Sequence, residues 1–250
     1  MSLCIQGYAA SRSSRGCRCL SALRQDDGGH LPVPVNRLTV RWADMFDVTL
    51  RAKADRAPDG VFVTTCGVVR NDKLIMGAGA ARQMRESFPK ALLLSTMHGL
   101  GHNELNEAAG LAIAKAGVGK AVGKLSIGGA QTYRYGSVAV AHTRLKGWKQ
   151  SMVLGCFQTK YHYKYRADPD LIGFSCDRLN ELILEWNLKR VYLNYPGIGL
   201  GGLPIAMVEK ILLRRLFLSR VTLFRQKKPR RSMANPNPVY FKTEEYLNEA

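Results

Sequence analysis

Apolar positions along this chain recur with two periods, one typical of strands and one typical of helices. Residues 61–66 form a nearly unbroken run of apolar and β-branched side chains, the pattern of a strand buried on both faces of a sheet. Residues 46–50 alternate between apolar and polar side chains, which predicts another strand. Over residues 168–187 apolar side chains return at helical spacing, so this segment is expected to form a long amphipathic helix.

Shorter segments continue the same alternation of strands and helices. Further helices are expected over residues 80–87, 103–115 and 205–216, and further strands near 121–127, 137–142, 152–159, 191–194 and 220–224. Strands that alternate with helices favour an α/β protein with a largely parallel or mixed sheet. We place this domain at residues 38–225, after a disordered or extraneous segment 1–37 and before a basic and polar tail 226–250.

Composition and charge narrow the class of protein. Of the 250 residues, 46% are hydrophobic and 22% are charged, which is the profile of a globular chain, and no apolar run reaches the length of a transmembrane helix. The 37 lysines and arginines outnumber the 19 acids, and eight of these basic residues lie in 214–231 with no acid among them. A net charge of +18 favours polyanionic partners such as nucleotides or nucleic acid.

The six cysteines have the spacing of neither a disulfide framework nor a zinc site. Cys17 and Cys19 are close in sequence, but none of the five histidines stands at ligand spacing from them. The N-terminal segment also lacks the apolar core of a secretion signal. We therefore expect a cytoplasmic protein with reduced thiols, with no metal, no cofactor and no membrane partner.

Two glycine-rich loops each follow a predicted buried strand and lead into a predicted helix. The first contains residues 64–67 and 74–81, and the second contains residues 195–204. Glycine lets a backbone approach a ligand closely, and the N–H groups at the start of a helix attract anions. Two such loops at the carboxyl ends of strands would suit a diphosphate, whereas the alternative is that the glycines are needed only for tight turns. Neither loop fits the dinucleotide-binding or P-loop fingerprint.

The motifs in these loops resemble those of macrodomains, an ADP-ribose-binding family. Met76-Gly77-Ala78-Gly79-Ala80-Ala81 resembles the first ligand loop, in the Met-Gly-x-Gly-x-Ala form of a phage and bacterial branch related to ADP-ribosyl-glutamate hydrolases. Pro196-Gly197-Ile198-Gly199, with Gly201-Gly202-Leu203, resembles the loop around the diphosphate. Ala43-Asp44-Met45-Phe46 resembles the element that binds adenine, and Thr159-Lys160 is similar to a pair that ends a strand in that branch.

The resemblance implies both a fold and a set of ligand contacts. The implied fold is a three-layer α/β/α sandwich around a central mixed sheet. Asp44 would accept a hydrogen bond from the adenine amino group, although the residues alone favour a turn or a solvated acid at this position. The residues implied to bind ADP-ribose or a derivative are Asp44, Thr65, Cys66, Gly67, Met76, Gly77, Gly79, Ala80, Gly197, Ile198, Gly199, Leu200, Gly201 and Gly202.

The sequence departs from the hydrolytic members of this family at three places. Cys66 stands where asparagine is common, Arg82 and Arg85 occupy the helix where those members place a catalytic lysine, and the second loop contains no acid. Arginine stays protonated and cannot act as a general base. Cys66 as a nucleophile, or His98 and His102 beside the pocket, are alternatives. The resemblance therefore leaves two alternatives open, binding of ADP-ribose alone or hydrolysis by an ADP-ribosyl hydrolase or ADP-ribose 1″-phosphate phosphatase whose catalytic residues the sequence does not identify.

A nucleic-acid-binding α/β protein with purely structural glycine loops is the alternative hypothesis. The basic residues of 214–231 would neutralise several phosphates, and tyrosines between 161 and 165 alternate with histidine and lysine in a pattern that could stack bases. The same tyrosines are compatible with a strand end or a packed loop. The two hypotheses differ in salt dependence, because binding to a polyanion weakens steeply as ionic strength rises.

Overall fold

In the computed structural model, residues 37–88, 92–93, 105–115, 120–124, 130–143 and 151–226 are described. The strands are β1 (Thr39–Arg41), β2 (Gly60–Cys66), β3 (Val68–Arg70), β4 (Lys73–Leu74), β5 (Leu92–Leu93), β6 (Lys120–Lys124), β7 (Gln131–Arg134), β8 (Ser137–Thr143), β9 (Met152–Lys160), β10 (Val191–Asn194) and β11 (Val221–Phe224). The helices are α1 (Met45–Leu50), α2 (Gly79–Ser87), α3 (Leu105–Lys115), α4 (Pro169–Glu185) and α5 (Ile205–Arg215), with 3-10 turns at Ala54–Arg56 and Gly199–Gly201.

Seven strands form the main sheet, in the order β1-β11-β10-β2-β9-β8-β5. The first five are parallel, whereas β8 runs antiparallel to β9 and β5 runs antiparallel to β8, so the sheet is mixed. A smaller antiparallel sheet joins β4, β3, β7 and β6. The five parallel strands all end at the same edge of the main sheet, which is where open α/β sheets bind ligands.

Alternate side chains of the central strands enter two separate hydrophobic cores. In β2, Val61 and Val63 pack in one core while Phe62 packs in the other, as the twofold period of a strand requires. The first core also contains side chains of α1, α2 and α3, and the second contains side chains of α4 and α5. Helices therefore cover both faces of a mixed sheet, which confirms the expected three-layer α/β/α architecture.

Most of the longer elements predicted from the sequence are confirmed. β2, β8, β9, β10, β11, α2 and α5 each begin and end within one residue of the expected ranges. α4 begins at Pro169 because Asp168 caps it, with the carboxylate Oδ1 accepting from the N–H groups of Asp170 (2.9 Å) and Leu171 (3.3 Å). α3 and β6 confirm parts of the predicted segments 103–115 and 121–127, whose remaining residues lie outside the described ranges.

The strand predicted over residues 46–50 is wrong, because this segment belongs to helix α1. Asp44 precedes the helix, and its Oδ1 accepts a hydrogen bond from the N–H of Phe46 at 2.8 Å. An N-cap of this kind stabilises a helix by about 1 kcal/mol. The buried side chains are those of Met45, Phe46 and Thr49, whose spacing fits one face of a helix rather than of a strand.

The apolar pattern gives no indication of β1, β3, β4, β5 and β7, which are two to four residues long. Strands this short present too few side chains to establish a period. β1 forms by parallel pairing with β11, where Val40 lies opposite Leu223. The glycine-bearing loop expected between β2 and α2 contains the β3–β4 hairpin, which turns at Asn71 and Asp72, both at positive φ.

Two glycines inside helices form a matched pair for testing the packing. A methyl group on Gly110 in α3 would overlap the backbone oxygen of Asp72, whereas one on Gly173 in α4 would come no closer than 3.9 Å to Ile211 Cγ2. We expect Gly110→Ala to lower the free energy of unfolding by about 1–3 kcal/mol through overpacking. Gly173→Ala should leave it unchanged or raise it by up to about 1 kcal/mol, because alanine favours helix. Urea denaturation measures the difference, and equal stabilities would contradict the close approach of α3 to the β3–β4 turn.

Candidate functional site

The carboxyl ends of β2 and β10 lie side by side at the centre of the main sheet. β2 leads towards α2, which packs in the first core, and β10 leads to α5, which packs in the second. The chain therefore leaves these two neighbouring strands towards opposite faces, and such a divergence opens a crevice between the loops. Two hydrogen bonds join the strands there, from the N–H of Thr64 to Asn194 Oδ1 (2.7 Å) and from Asn194 Nδ2 to Thr64 Oγ1 (2.8 Å).

The first glycine loop leaves the β3–β4 hairpin and ends in the first turn of α2. It is anchored by Met76, whose side chain is buried. A methyl group placed on Gly77 or Gly79 would meet no atom within 4 Å, so the backbone there faces open space. α2 has no side-chain cap, and within the described ranges no acceptor bonds to the N–H groups of residues 79–81. This loop therefore offers free donors that carry the partial positive charge of a helix N-terminus.

The second glycine loop, residues 195–204 between β10 and α5, also leaves backbone donors free. The N–H groups of Ile198, Gly199 and Leu200 have no acceptor in the part of the chain that is described. Gly199 has a φ of +66°, and a methyl group on it would meet no atom within 4 Å, so only glycine fits the conformation without strain and the backbone is uncovered. Gly197 is instead buried, and a methyl group on it would press on Ile172 Cδ1 at 2.7 Å.

The carbonyl groups of the second glycine loop are held by a neighbouring segment, the β9–α4 loop (residues 160–168). Three consecutive carbonyl oxygens accept hydrogen bonds from it: Leu200 O from Lys160 Nζ (3.2 Å), Gly201 O from the Ala167 N–H (2.9 Å) and Gly202 O from Arg166 Nη2. These acceptors are therefore already occupied by the protein. Over residues 198–200 the free hydrogen-bonding groups that the glycine loop offers to a ligand are therefore main-chain donors.

Asp44 lies at the same edge of the sheet, after β1, and its two carboxylate oxygens have different partners. Oδ1 caps α1, while Oδ2 accepts hydrogen bonds from Gln83 Nε2 on α2 (2.9 Å) and Gln226 Nε2 after β11 (3.0 Å). Trp42, two residues before it, is 53% exposed, and the Arg225 guanidinium lies 4.4 Å from its ring centroid. The ends of β1 and β11 thus carry a hydrogen-bond acceptor and an exposed aromatic ring.

Several of the predicted ligand residues are buried in the protein. Thr65 Oγ1 forms a hydrogen bond with the Tyr135 hydroxyl. The Gly67 N–H donates to Tyr161 O (2.9 Å), and a methyl group on Gly67 would overlap the backbone oxygen of Tyr133. These groups hold the loops in place, and direct contact between them and a ligand stays a prediction. Of the other predicted residues, Gly201 is buried, Ala80 is half-buried, and Leu200 and Gly202 are exposed.

Cys66 is only 5% exposed, and its Sγ lies 3.8 Å from the backbone oxygen of Ile75. Burial raises the pKa of the thiol, and this is offset in part by a hydrogen bond from the backbone of Val68 and by the charge of Lys160. The thiolate is the nucleophilic form of cysteine, so both the burial and the raised pKa disfavour Cys66 as a nucleophile.

Sequence reasoning missed several residues at this edge of the sheet. Gln83 and Gln226 contact Asp44 from 39 and 182 positions away in the sequence, and no local pattern marks such pairs. The bridging role of Lys160 was also missed. Its position at the end of a buried and mostly apolar strand is the available signal, because a lysine there can reach across the strand ends on its long apolar stem.

The basic and aromatic residues of the nucleic-acid hypothesis are dispersed over the described part of the structure. Arg220 precedes β11 and Arg225 follows it, so they lie at opposite edges of the main sheet. Arg215 forms an ion pair with Asp177. Tyr163 lies in the turn after β9, where its ring stacks on His162 with centroids 4.2 Å apart. Residues 227–231 lie outside the described ranges, so binding of nucleic acid stays a prediction.

Among the helices that the structure describes, none has both the length and the hydrophobicity needed to span a membrane. The described ranges also contain no group of three or more histidine, cysteine, aspartate or glutamate side chains that could hold a metal ion. His98 and His102, considered above as residues beside the pocket, lie outside these ranges.

No protein-family model matches the sequence, and no curated protein matches it either. The chain is similar to the solved macrodomain of Thermus aquaticus DarG, with 18% identity and a TM-score of 0.46, covering 77% of this chain and 99% of that one. The macrodomain of Mycobacterium tuberculosis DarG is 16% identical with a TM-score of 0.44, and the match covers 75% of this chain and 98% of that one. Thermosipho africanus DarTG in complex with ADP-ribose is 16% identical with a TM-score of 0.48, and the match covers 79% of this chain and 44% of that one.

The burial of the thiols predicts their reactivity. Burial raises the pKa of Cys66, and it raises those of Cys156 and Cys176 to about 12. We expect iodoacetamide at roughly neutral pH to leave these three cysteines unmodified in the native protein and to alkylate them once guanidinium unfolds it. Peptide mapping by mass spectrometry distinguishes them from the other cysteines. Rapid alkylation of native Cys66 would overturn the conclusion that it is inert.

Proposed function

We propose that this protein binds ADP-ribose, or a molecule that carries ADP-ribose, in the crevice at the carboxyl edge of the main sheet. The observation that carries the proposal is the pair of free donor sets, the N–H groups of residues 79–81 and those of residues 198–200. They follow the two strands between which the chain diverges to opposite faces. A diphosphate has charged oxygens on both phosphorus atoms, and main-chain donors from two loops can bind them without a cationic side chain.

Asp44 supports placing the adenine beside the ends of β1 and β11. Its Oδ2 already accepts hydrogen bonds from two glutamine amides, and an adenine amino group is a donor of the same kind that could replace one of them. The exposed ring of Trp42 offers a face on which an adenine could stack. Because β10 and β2 follow β11 in the sheet, the diphosphate would come next and the distal ribose would point towards β9.

Hydrolysis in this crevice would use a water molecule rather than a protein nucleophile. Cys66 is buried, and a hydrogen bond to Glu86 raises the pKa of Arg82, which therefore remains protonated. We propose that any turnover, of an ADP-ribosyl bond or of a 1″-phosphate, relies on a water held by a phosphate of the substrate itself.

Calorimetric titration of ADP-ribose into the full-length protein tests the proposed binding. We expect roughly micromolar affinity for ADP-ribose and weaker binding of AMP, which lacks the second phosphate and the distal ribose. Gly199→Glu should weaken ADP-ribose binding at least about tenfold, because a carboxylate at this open position would repel the diphosphate. Gly199→Gln should weaken it less, since glutamine has the same size and the same positive-φ strain but no charge.

Two outcomes of the titration would contradict the proposal. One is that the folded wild-type protein does not bind ADP-ribose. The other is wild-type affinity in Gly199→Glu, which would place the ligand away from the second glycine loop. A salt series separates the alternative function, because binding of single-stranded nucleic acid should weaken by orders of magnitude between low and high salt, and binding of ADP-ribose only modestly.

Substitutions at Asp44 separate its two roles. Asp44→Asn keeps an oxygen that can cap α1, whereas Asp44→Ala should cost about 1 kcal/mol of stability through loss of the cap. Both variants should lower the affinity for ADP-ribose by about five- to tenfold, since each removes the charged acceptor. Thermal denaturation and calorimetry measure the two effects independently. Wild-type affinity in Asp44→Asn would show that the carboxylate charge does not hold the adenine.

A further inference from the structure

Lys160, the last residue of β9, reaches across the carboxyl edge of the sheet to the second glycine loop. Its Nζ donates hydrogen bonds to Leu200 O (3.2 Å), Tyr165 O (3.2 Å) and Tyr163 O (3.4 Å). All three acceptors are main-chain carbonyls, one in the glycine loop and two in the β9–α4 loop. A single ammonium group therefore joins the two segments.

The chemistry of Lys160 fits this bridging role. The side chain is half-buried, and burial lowers the pKa of its ammonium group, with a partial offset from Cys66. An ammonium group has three donors and no acceptor, and it has three carbonyl oxygens within hydrogen-bond distance here. The lysine is thus used for its donors on a flexible stem rather than for an exposed ion pair.

The second glycine loop needs restraint from outside itself. Gly197, Gly199 and Gly202 have φ angles of +70°, +66° and +67°, and glycine has more conformational freedom to lose than any other residue. Within the loop, the N–H groups of Gly201, Gly202 and Leu203 donate to Ile198 O (3.3 Å), Gly199 O (3.1 Å) and Gly197 O (2.9 Å), and no other internal main-chain bond joins the described residues of the loop before α5. Glycines give this loop access to a wide range of backbone angles, so its contacts with the β9–α4 loop restrict it to the conformation observed.

We propose that Lys160 is a positioning residue that holds the second glycine loop with its N–H groups free and its Leu200 carbonyl turned away from the ligand. Once released, the peptide between Leu200 and Gly201 can rotate, because its rotation changes φ of Gly201, and glycine accepts a wide range of backbone angles. Its carbonyl oxygen can then face a phosphate, and the two electronegative oxygens repel each other. The inference rests on the proposed function in this last step, whereas the restraint of the loop can be measured without a ligand.

Amide hydrogen exchange of the full-length protein without ligand tests the restraint directly. In Lys160→Met, which removes the donors and keeps an apolar stem, we expect amides in residues 197–203 to exchange about tenfold faster or more, as expected for loss of charge-assisted hydrogen bonds. The hydrogen-bonded amides of Gly201, Gly202 and Leu203 are the reporters. Exchange in β2 and α4 should stay at the wild-type rate, which shows that the fold is intact.

Lys164→Met is the matched control, because it removes the same charge from the same β9–α4 loop at an exposed position. Its exchange in residues 197–203 should equal that of the wild type. Equal exchange of these residues in Lys160→Met and Lys164→Met would overturn the proposal. If Lys160→Met does not fold, Lys160→Gln, which keeps a shorter donor, replaces it under the same criterion.

Titration with ADP-ribose and with adenosine then tests the consequence for binding. Lys160→Met should weaken ADP-ribose binding about tenfold and leave the affinity for adenosine unchanged, since adenosine has no phosphate to contact the glycine loop. An equal loss for both ligands would overturn the positioning role. If wild-type protein binds no ADP-ribose while the exchange difference persists, the proposed function fails and the restraint by Lys160 stands.

Discussion

The parallel pairing of β2 with β10 is the constraint on which the rest of the structure depends. Val61 lies opposite Tyr192 and Phe62 opposite Leu193, so both strands bury one face in each core and end at the same edge. Strands that run in one direction cannot be joined by a tight hairpin, so their connections must pass over the sheet. Here the two outgoing connections lead to opposite faces, and a divergence of this kind is where open α/β sheets place a ligand crevice.

The elements predicted correctly from the sequence are those in which burial imposes a clear period. β2 is apolar on both faces and α4 has a long apolar stripe, so each could be recognised without its partners. Residues 46–50 show where this reasoning fails, because a short alternating segment fits one turn of helix as well as a strand. The helix is favoured there by hydrogen bonds to the Asp44 carboxylate, and the apolar pattern carries no information about them.

The two loops of the candidate site could be predicted from the sequence, but the roles of the individual residues in them could not. Gly197 and Gly199 are two residues apart and share a positive φ, yet one packs against Ile172 and the other faces open space. Their difference depends on which parts of α4 and α5 lie beside them. The contact of Lys160 with Leu200 likewise joins residues 40 positions apart. The sequence shows which residue types the loops contain, whereas the neighbours of each residue depend on the tertiary structure.

The free donors at residues 79–81 and 198–200 belong to the main chain. Apart from proline, no amino acid lacks a main-chain N–H, so almost any substitution leaves the donors in place. The sequence requirement is instead that Gly77 and Gly199 carry no side chain, because a side chain there would cover the backbone. Such a set of main-chain donors can therefore outlast recognisable sequence similarity.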